Sequence, residues 1–369
     1  MKKNLNFTLA LIASLYFIAS SAQQSEKKFS YIFESGTNGY NTYRIPAILT
    51  LKNGVLLAFA EGRKNTSSDT GDIDLVMKRS EDGGKTWSEL IVLWDDDVNV
   101  CGNPAPVQER RSGKIFLLST WNLGSDHEPQ IIKQQSMDTR RVYILESSDD
   151  GLTWSEPVEI TGSVKQEDWT WYATGPCHGI QIMNGDYRDR LVIPCDHIEA
   201  GTEKYYSHII YSDNRGKTWE LGGTTPQDQV NECSIAELAG GKLMLNMRNY
   251  DRTQKSRKVS VSKDGGLSWS NIWSDPSLVE PICQGSLINH PKKKVLYFTN
   301  PASEANREKL TIRASYDEGK TWPYSKVLYE GPAAYSDITF LPTGELGCIY
   351  EAGIKNPYEG IVFEIVRVK

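Results

Sequence analysis

The sequence predicts an all-β fold, a six-bladed β-propeller with four-stranded antiparallel blades. Three observations predict it. An eight-residue turn motif recurs through residues 80–322, a β-rich run precedes every copy, and no long Pro- or Ser-rich linker breaks the chain into separate units. At 369 residues the chain is longer than most single domains, and a propeller carries such a length as one unit.

The first element is a targeting segment. Lys2 and Lys3 precede an apolar run from Phe7 to Ala19, and Ser20, Ser21 and Ala22 supply small residues for cleavage after Ala22. The run is too short for a membrane span, so residues 1–22 read as a signal peptide and 23–369 as the exported domain, periplasmic or secreted. Export permits disulfides, but the six cysteines are scattered without a C-x-x-C pair and most lie beside apolar residues, which favours buried free thiols. The net charge of −6 argues against a general nucleic-acid binder.

The repeat then sets the blades. The copies are SEDGGKTW (80–87), SSDDGLTW (147–154), SDNRGKTW (212–219), SKDGGLSW (262–269) and SYDEGKTW (315–322). Their key residues, Asp82, Asp149, Asn214, Asp264 and Asp317, are spaced 67, 65, 50 and 53 residues apart. The Asp is expected to accept backbone N–H bonds across the turn, the Gly to supply a positive φ, and the Trp to anchor the turn on the strand that follows. Runs such as IDLVMKRS, RVYILESS and KLTIRAS before the turns make each unit a hairpin, and two further strands per period complete a blade. The stretch from Tyr335 to Lys369 adds strands without the turn motif, entered at Tyr335 by a short polar turn in AYSDITF, and Phe29–Phe33 offers an N-terminal strand that closes the ring.

Three arginines break the apolar pattern. Arg44 sits in YRIPAI, Arg248 closes KLMLNMR, and Arg307 precedes the strand KLTIRAS. Each alone reads as a surface or ion-pair residue. Three at strand edges of different blades are another matter, because a propeller gathers its inner strands around one axis. Converging guanidiniums there make a site for one carboxylate.

On these motifs the chain resembles the exo-sialidases (neuraminidases) of the bacterial glycoside hydrolase type, over about residues 30–369. The turn motif resembles their Asp box, a structural repeat. YRIPAI resembles the family's Arg-Ile-Pro motif. The resemblance implies hydrolysis of terminal α-linked sialic acid on glycoproteins, glycolipids or oligosaccharides. It implies Arg44, Arg248 and Arg307 as the carboxylate-binding triad, with Arg63 of AFAEGR beside it. Asp69 is the implied acid/base, Tyr335 the nucleophile, Glu232 the base that takes its proton, and Glu351 the brace of the first arginine. A carboxylate nucleophile would be repelled by the substrate's own carboxylate, whereas a tyrosine is neutral until it attacks. WTWYATG and PCDHI are expected on the rim near the N-acyl and glycerol groups, with Trp171, Asp196 and His197 as contacts, and CQGSLI is expected to reach the cavity through Gln284. No metal or other cofactor is implied, and the five histidines show no ligand spacing.

Competitors exist at several positions. Asp72 and Asp74 compete with Asp69, Glu237 with Glu232, and Arg313 with Arg307; family spacing favours Asp69 and Glu232, and the place of Arg313 within the strand before the fifth turn favours Arg307. TGPCHGIQI departs from the family's Gly-Pro-Gly loop by Cys177. Rival functions are a trans-sialidase or anhydro-forming enzyme, a glycosidase for KDN, and a non-catalytic sialic-acid-binding propeller; product analysis, a KDN substrate and the presence of Asp69, Glu232 and Tyr335 discriminate them. Linkage preference and oligomeric state are not written in the sequence.

Overall fold

The computed structural model describes residues 29–290 and 292–368; the signal-peptide reading of residues 1–22 lies outside them. The fold is all-β. Four hydrogen-bonded sheets hold eight, seven, five and four strands, and helix is limited to short turns such as Glu128–Ile132. Among the described residues no helix is long and apolar enough to cross a membrane.

The larger sheets are composites. In the eight-stranded sheet the antiparallel ladders of Thr42–Thr50 to Trp94 and of Val100–Gln108 to Glu159 touch through one parallel bridge, Ile73 to Val100. In the seven-stranded sheet, Tyr324–Phe340 runs through as one strand, pairing with Glu308–Ser315 in its first half and Leu346–Ala352 in its second. The sequence places a short polar turn at Tyr335, but the backbone stays extended there. The N-terminal strand Tyr31–Glu34 pairs antiparallel with Gly360–Val366, as Phe29–Phe33 suggested.

The five turns fold as their residues dictate. Asp82, Asp149, Asp264 and Asp317 each accept the backbone N–H four residues on at 2.9 Å, and Asn214 does the same through Oδ1. The leading Ser of each copy accepts the Gly N–H, as Gly216 to Ser212 Oγ at 2.8 Å. The tryptophans depart from expectation. Trp87 packs edge-on against Phe363, Trp154 against Phe59 and Trp219 against Phe116, all on strands of an earlier or distant ladder rather than on the strand that follows. Gly84 and Gly216 explain this: a Cβ at either would run into the Phe363 or Phe116 ring. The turn therefore clasps its neighbour, and a bare backbone is needed where it does so.

Between the ladders lie separate apolar clusters, such as Phe59, Leu75, Met77 and Leu117, or Phe116, Ile144, Trp169 and Ile193. All six cysteines are buried free thiols. Cys177 carries φ 152°, so the position that departs from the family's Gly keeps a backbone conformation glycine adopts more easily.

Candidate active site

Five strands carry the same irregularity. In Thr42–Thr50, Val100–Gln108, Trp169–Thr174, Val230–Glu237 and the second half of Tyr324–Phe340, three residues face two on the partner strand. The shifts fall between Arg44 and Ala47, Gly102 and Ala105, Trp169 and Tyr172, Val230 and Cys233, and Ala333 and Ser336. A bulge releases one residue from the ladder and re-aims its side chain. Ile45 and Asn103 take φ of 57° and 54° in doing so. The released or flanking residues Arg44, Asn103, Trp171, Glu232 and Tyr335 all line one cavity of about 340 Å³.

Tyr335 is the hub of that cavity. Its hydroxyl donates to Glu232 Oε1 at 2.5 Å and accepts from Arg248 Nη1 at 2.9 Å. The same Arg248 nitrogen reaches Glu232 Oε2 at 2.6 Å. The Arg44 and Arg307 guanidinium carbons stand 5.1 and 5.4 Å from the Tyr335 ring centroid. The three arginines thus meet around one phenol. Burial and then the Glu232 carboxylate raise the phenol pKa well above its ordinary value, while Arg248, Arg307 and Arg44 work against the rise.

Glu351, fully buried, braces both sides. Its Oε1 accepts Arg44 Nε at 3.2 Å and the Ile45 N–H at 2.9 Å; its Oε2 accepts the Tyr335 N–H at 3.2 Å and lies 3.5 Å from Arg44 Nη2. Tyr358 closes the same corner: Arg44 lies 4.4 Å over its ring, and Arg307 Nη1 donates to its hydroxyl at 2.9 Å.

Asp69 stands on the loop between Leu56–Arg63 and Ile73–Ser80, its side chain 56% exposed. One oxygen pairs with Arg63 at 2.6 Å and Arg44 at 3.4 Å. Desolvation raises its pKa, but Arg63 first and Arg44 next more than offset this and bring the carboxyl down to about 2. Arg63 is itself held by Glu61 at 2.6 Å.

The residues expected on the rim divide. Trp171 and Asp196 line the cavity. Asp196 accepts Asn231 Nδ2 at 2.8 Å, and burial, with Glu232 nearby, pushes its carboxyl well above the usual range. His197 is instead buried beneath, stacked 3.4 Å from the Trp169 ring and 3.0 Å from His208, so it is not brought to the cavity. Alternation along the strand puts adjacent Asp196 and His197 on opposite faces. Gln284 also stays behind the wall, receiving the Ser336 N–H at 3.0 Å and donating to Pro176 O at 2.9 Å.

The competitors are engaged elsewhere. Asp74 accepts Tyr40 Oη at 2.5 Å and pairs with Lys64, as does Asp72. Glu237 accepts the Met183 and Asn184 N–H groups, and Arg313 binds Asn300 Oδ1 at 3.0 Å. Sequence reasoning missed Asn103, Glu128, Arg140, Asn231, Tyr250 and Tyr358 in the lining. Arg140 is buried, stacked 3.9 Å over Trp171 and bonded to Asn122 and Thr120. Its position on the second ladder, next to Arg141, gave no motif to single it out.

Comparison with known proteins points to the same family as the turn motif. A family model described as a BNR repeat-like domain matches residues 54–348. A sialidase of Micromonospora viridifaciens is 32% identical over 86% of this chain and 51% of its own length, and one of Bacteroides fragilis is 30% identical over 91% and 64%. The chain therefore spans about half to two thirds of these curated relatives. Among solved structures, a Hadza microbial sialidase superposes with a TM-score of 0.81 at 30% identity, covering 92% of this chain and 68% of the other. The leech intramolecular trans-sialidase shares the fold at TM-score 0.77 and 19% identity, covering 93% and 70%. Repeat, fold and relatives together show that the chain belongs to the sialidase (neuraminidase) family of glycoside hydrolases.

Proposed function

We propose that the protein is an exo-α-sialidase that releases terminal α-linked sialic acid from glycoconjugates, with net retention and Tyr335 as nucleophile. The observation that carries this is the Glu232–Tyr335–Arg248 hydrogen-bonded cluster with Arg44 and Arg307 beside it. Arg44, Arg248 and Arg307 receive the substrate carboxylate; planar guanidiniums in a cavity shielded from water suit it. Glu232 takes the phenol proton as Tyr335 attacks the anomeric carbon, and Arg248 bears on both oxygens as charge moves between them. The phenol rests neutral because burial disfavours its anion, which matches a nucleophile that must approach an anionic sugar.

Asp69 serves as acid and then base. Held by Arg63 and Arg44, its carboxyl is ionised. A substrate carboxylate arriving at Arg44 competes for that guanidinium and adds negative charge nearby, and both effects favour a proton on Asp69. Arg63, Trp171, Asp196, Asn231 and Tyr250 contact the rest of the sugar. This reading rests on a six-bladed ring. It is supported by the two composite sheets dividing into four-strand ladders, and by the first turn motif meeting Phe363 of the last ladder. Residues 23–369 act as one catalytic unit after export.

The test is covalent trapping. A 3-fluoro-sialosyl fluoride should add one sugar to the peptide that contains Tyr335, and NMR of the first product should show the α anomer. An inverted product, or a label on Glu232, would refute the assignment of Tyr335.

A further inference from the structure

A second cavity, larger at about 450 Å³, opens at the far end of the same strands. It is lined by Ile48–Thr50, Val107–Gln108, Ala236–Glu237 and Thr339–Phe340, the last residues of strands whose earlier residues line the arginine cavity. Arg44 and Ile48, like Tyr335 and Thr339, are four residues apart, about 13 Å along an extended strand. Between the two mouths sits Asp337, fully buried, accepting the Ile48 N–H at 2.9 Å, Ser286 Oγ at 2.7 Å and His178 at both its N–H (3.1 Å) and Nδ1 (2.7 Å).

We propose that this second cavity binds a small organic monoanion with an apolar body, its anionic group received by His178 and Arg110. His178 is 6% exposed and lines the cavity. With Nδ1 committed to Asp337, its Nε2 is a buried polar atom without a hydrogen-bond partner among the described residues. Such an atom is costly unless something meets it. Burial opposes a charged ring, but Asp337 more than offsets it and raises the imidazole pKa, so Nε2 is suited to donate. Arg110 and Lys52 also line the cavity; neither forms an ion pair within contact distance among the described residues, while Arg110 Nη1 touches Met183 Sδ and feels the Glu237 and Asp189 carboxylates. The one carboxylate in the lining, Glu237, is already occupied by the Met183 and Asn184 N–H groups at 2.7 and 2.9 Å and by Asn184 Nδ2. Glu237 keeps its charge, but Arg110 and Lys52 against this single carboxylate leave the lining with a net positive charge. The walls, including Ile48, Val107, Ile180, Ile288 and Phe340, are apolar and suit a hydrocarbon body.

The test titrates the full-length protein with hexanoate and, separately, with its neutral counterpart hexanamide. The His178 ring is followed by ¹H–¹⁵N NMR and affinity by calorimetry. Reading the His178 ring separates this cavity from the arginine cavity, which also accepts carboxylates. Hexanoate should shift the His178 Nε2 resonance saturably, and hexanamide should bind about tenfold more weakly or worse, as loss of a charge-assisted bond implies. Arg110→Gln should weaken hexanoate about tenfold while leaving hydrolysis of an α-sialoside unchanged. An unmoved His178 resonance, equal binding of the amide, or unchanged affinity in Arg110→Gln would overturn the proposal.

Discussion

Glu351→Gln changes one atom and strikes two parts of the site. Each carboxylate oxygen of Glu351 faces one Arg44 nitrogen and one backbone N–H, that of Ile45 or of Tyr335. A glutamine in either orientation turns an NH₂ toward two donors, leaving one backbone N–H unmet and Arg44 without its buried counter-charge. Breaking a buried pair by removing one partner costs about 3–5 kcal/mol, and the unmet amide is part of that sum. Unfolding entropy of about 2.1 cal/mol/K per residue converts this loss, for a chain of this size, into a fall in Tm of about 4–6 °C. The same change frees the backbone of Tyr335, and a misplacement on the order of 1 Å lowers kcat/KM about 100-fold. Calorimetry and cleavage of a fluorogenic α-sialoside measure the two effects on one preparation. The double variant Arg44→Met/Glu351→Met should lose less stability than the two single changes together, because the partners are removed as a pair. A Glu351→Gln protein that melts with the wild type and keeps its kcat/KM would refute the bracing argument.

Three other outcomes follow from the geometry. Arg44→Lys keeps the charge but not the fork of donors, so kcat/KM for sialosides should fall by the equivalent of about 2–5 kcal/mol, and a sialoside methyl ester should be a poor substrate of the wild type. Asp264→Ala should lower stability by about 1–3 kcal/mol with KM unchanged, since its bonds to Ser268 lie in a turn outside the cavity lining; an altered KM with normal melting would contradict this. The folded-state pKa of Asp69 is depressed to about 2, so its ion pairs contribute stability above its unfolded pKa of about 4 and lose it as pH falls toward about 2. Melting curves of wild type and Asp69→Asn should therefore converge as pH is lowered from about 4 to about 2, and parallel curves would count against those pairs.

The turn motif and the arginine-bearing strands were legible because each couples a local rule to a fixed position. Asp82 needs its acceptor where the amides are, and a guanidinium such as Arg44 in an apolar strand demands an anion. Glu351 and Tyr335 were legible through their motifs, although Tyr335 lies in a continuous strand rather than at a turn. What stayed hidden depends on three-dimensional register. His197 and Asp196 are neighbours in sequence and face opposite sides, and no local rule says which one faces the cavity. Arg140 and Tyr358 come from an ordinary strand edge and an ordinary loop, and only the approach of other ladders makes them part of the site. The bulges were also invisible: Ile45 takes a positive φ although β-branched residues avoid it, so its sequence argues for a regular strand.

The pairing of Tyr31–Glu34 with Gly360–Val366 has a temporal meaning. Arg44 and Ile45 leave the ribosome 307 and 306 residues ahead of Glu351, which holds both. Tyr335 is pinned by the same late carboxylate. A nascent chain therefore has packed ladders long before it has a reactive centre. The arginine cavity is complete only once the strand Leu346–Ala352 has packed, and fragments cut anywhere between residues 44 and 335 should rebuild it only on reassociation.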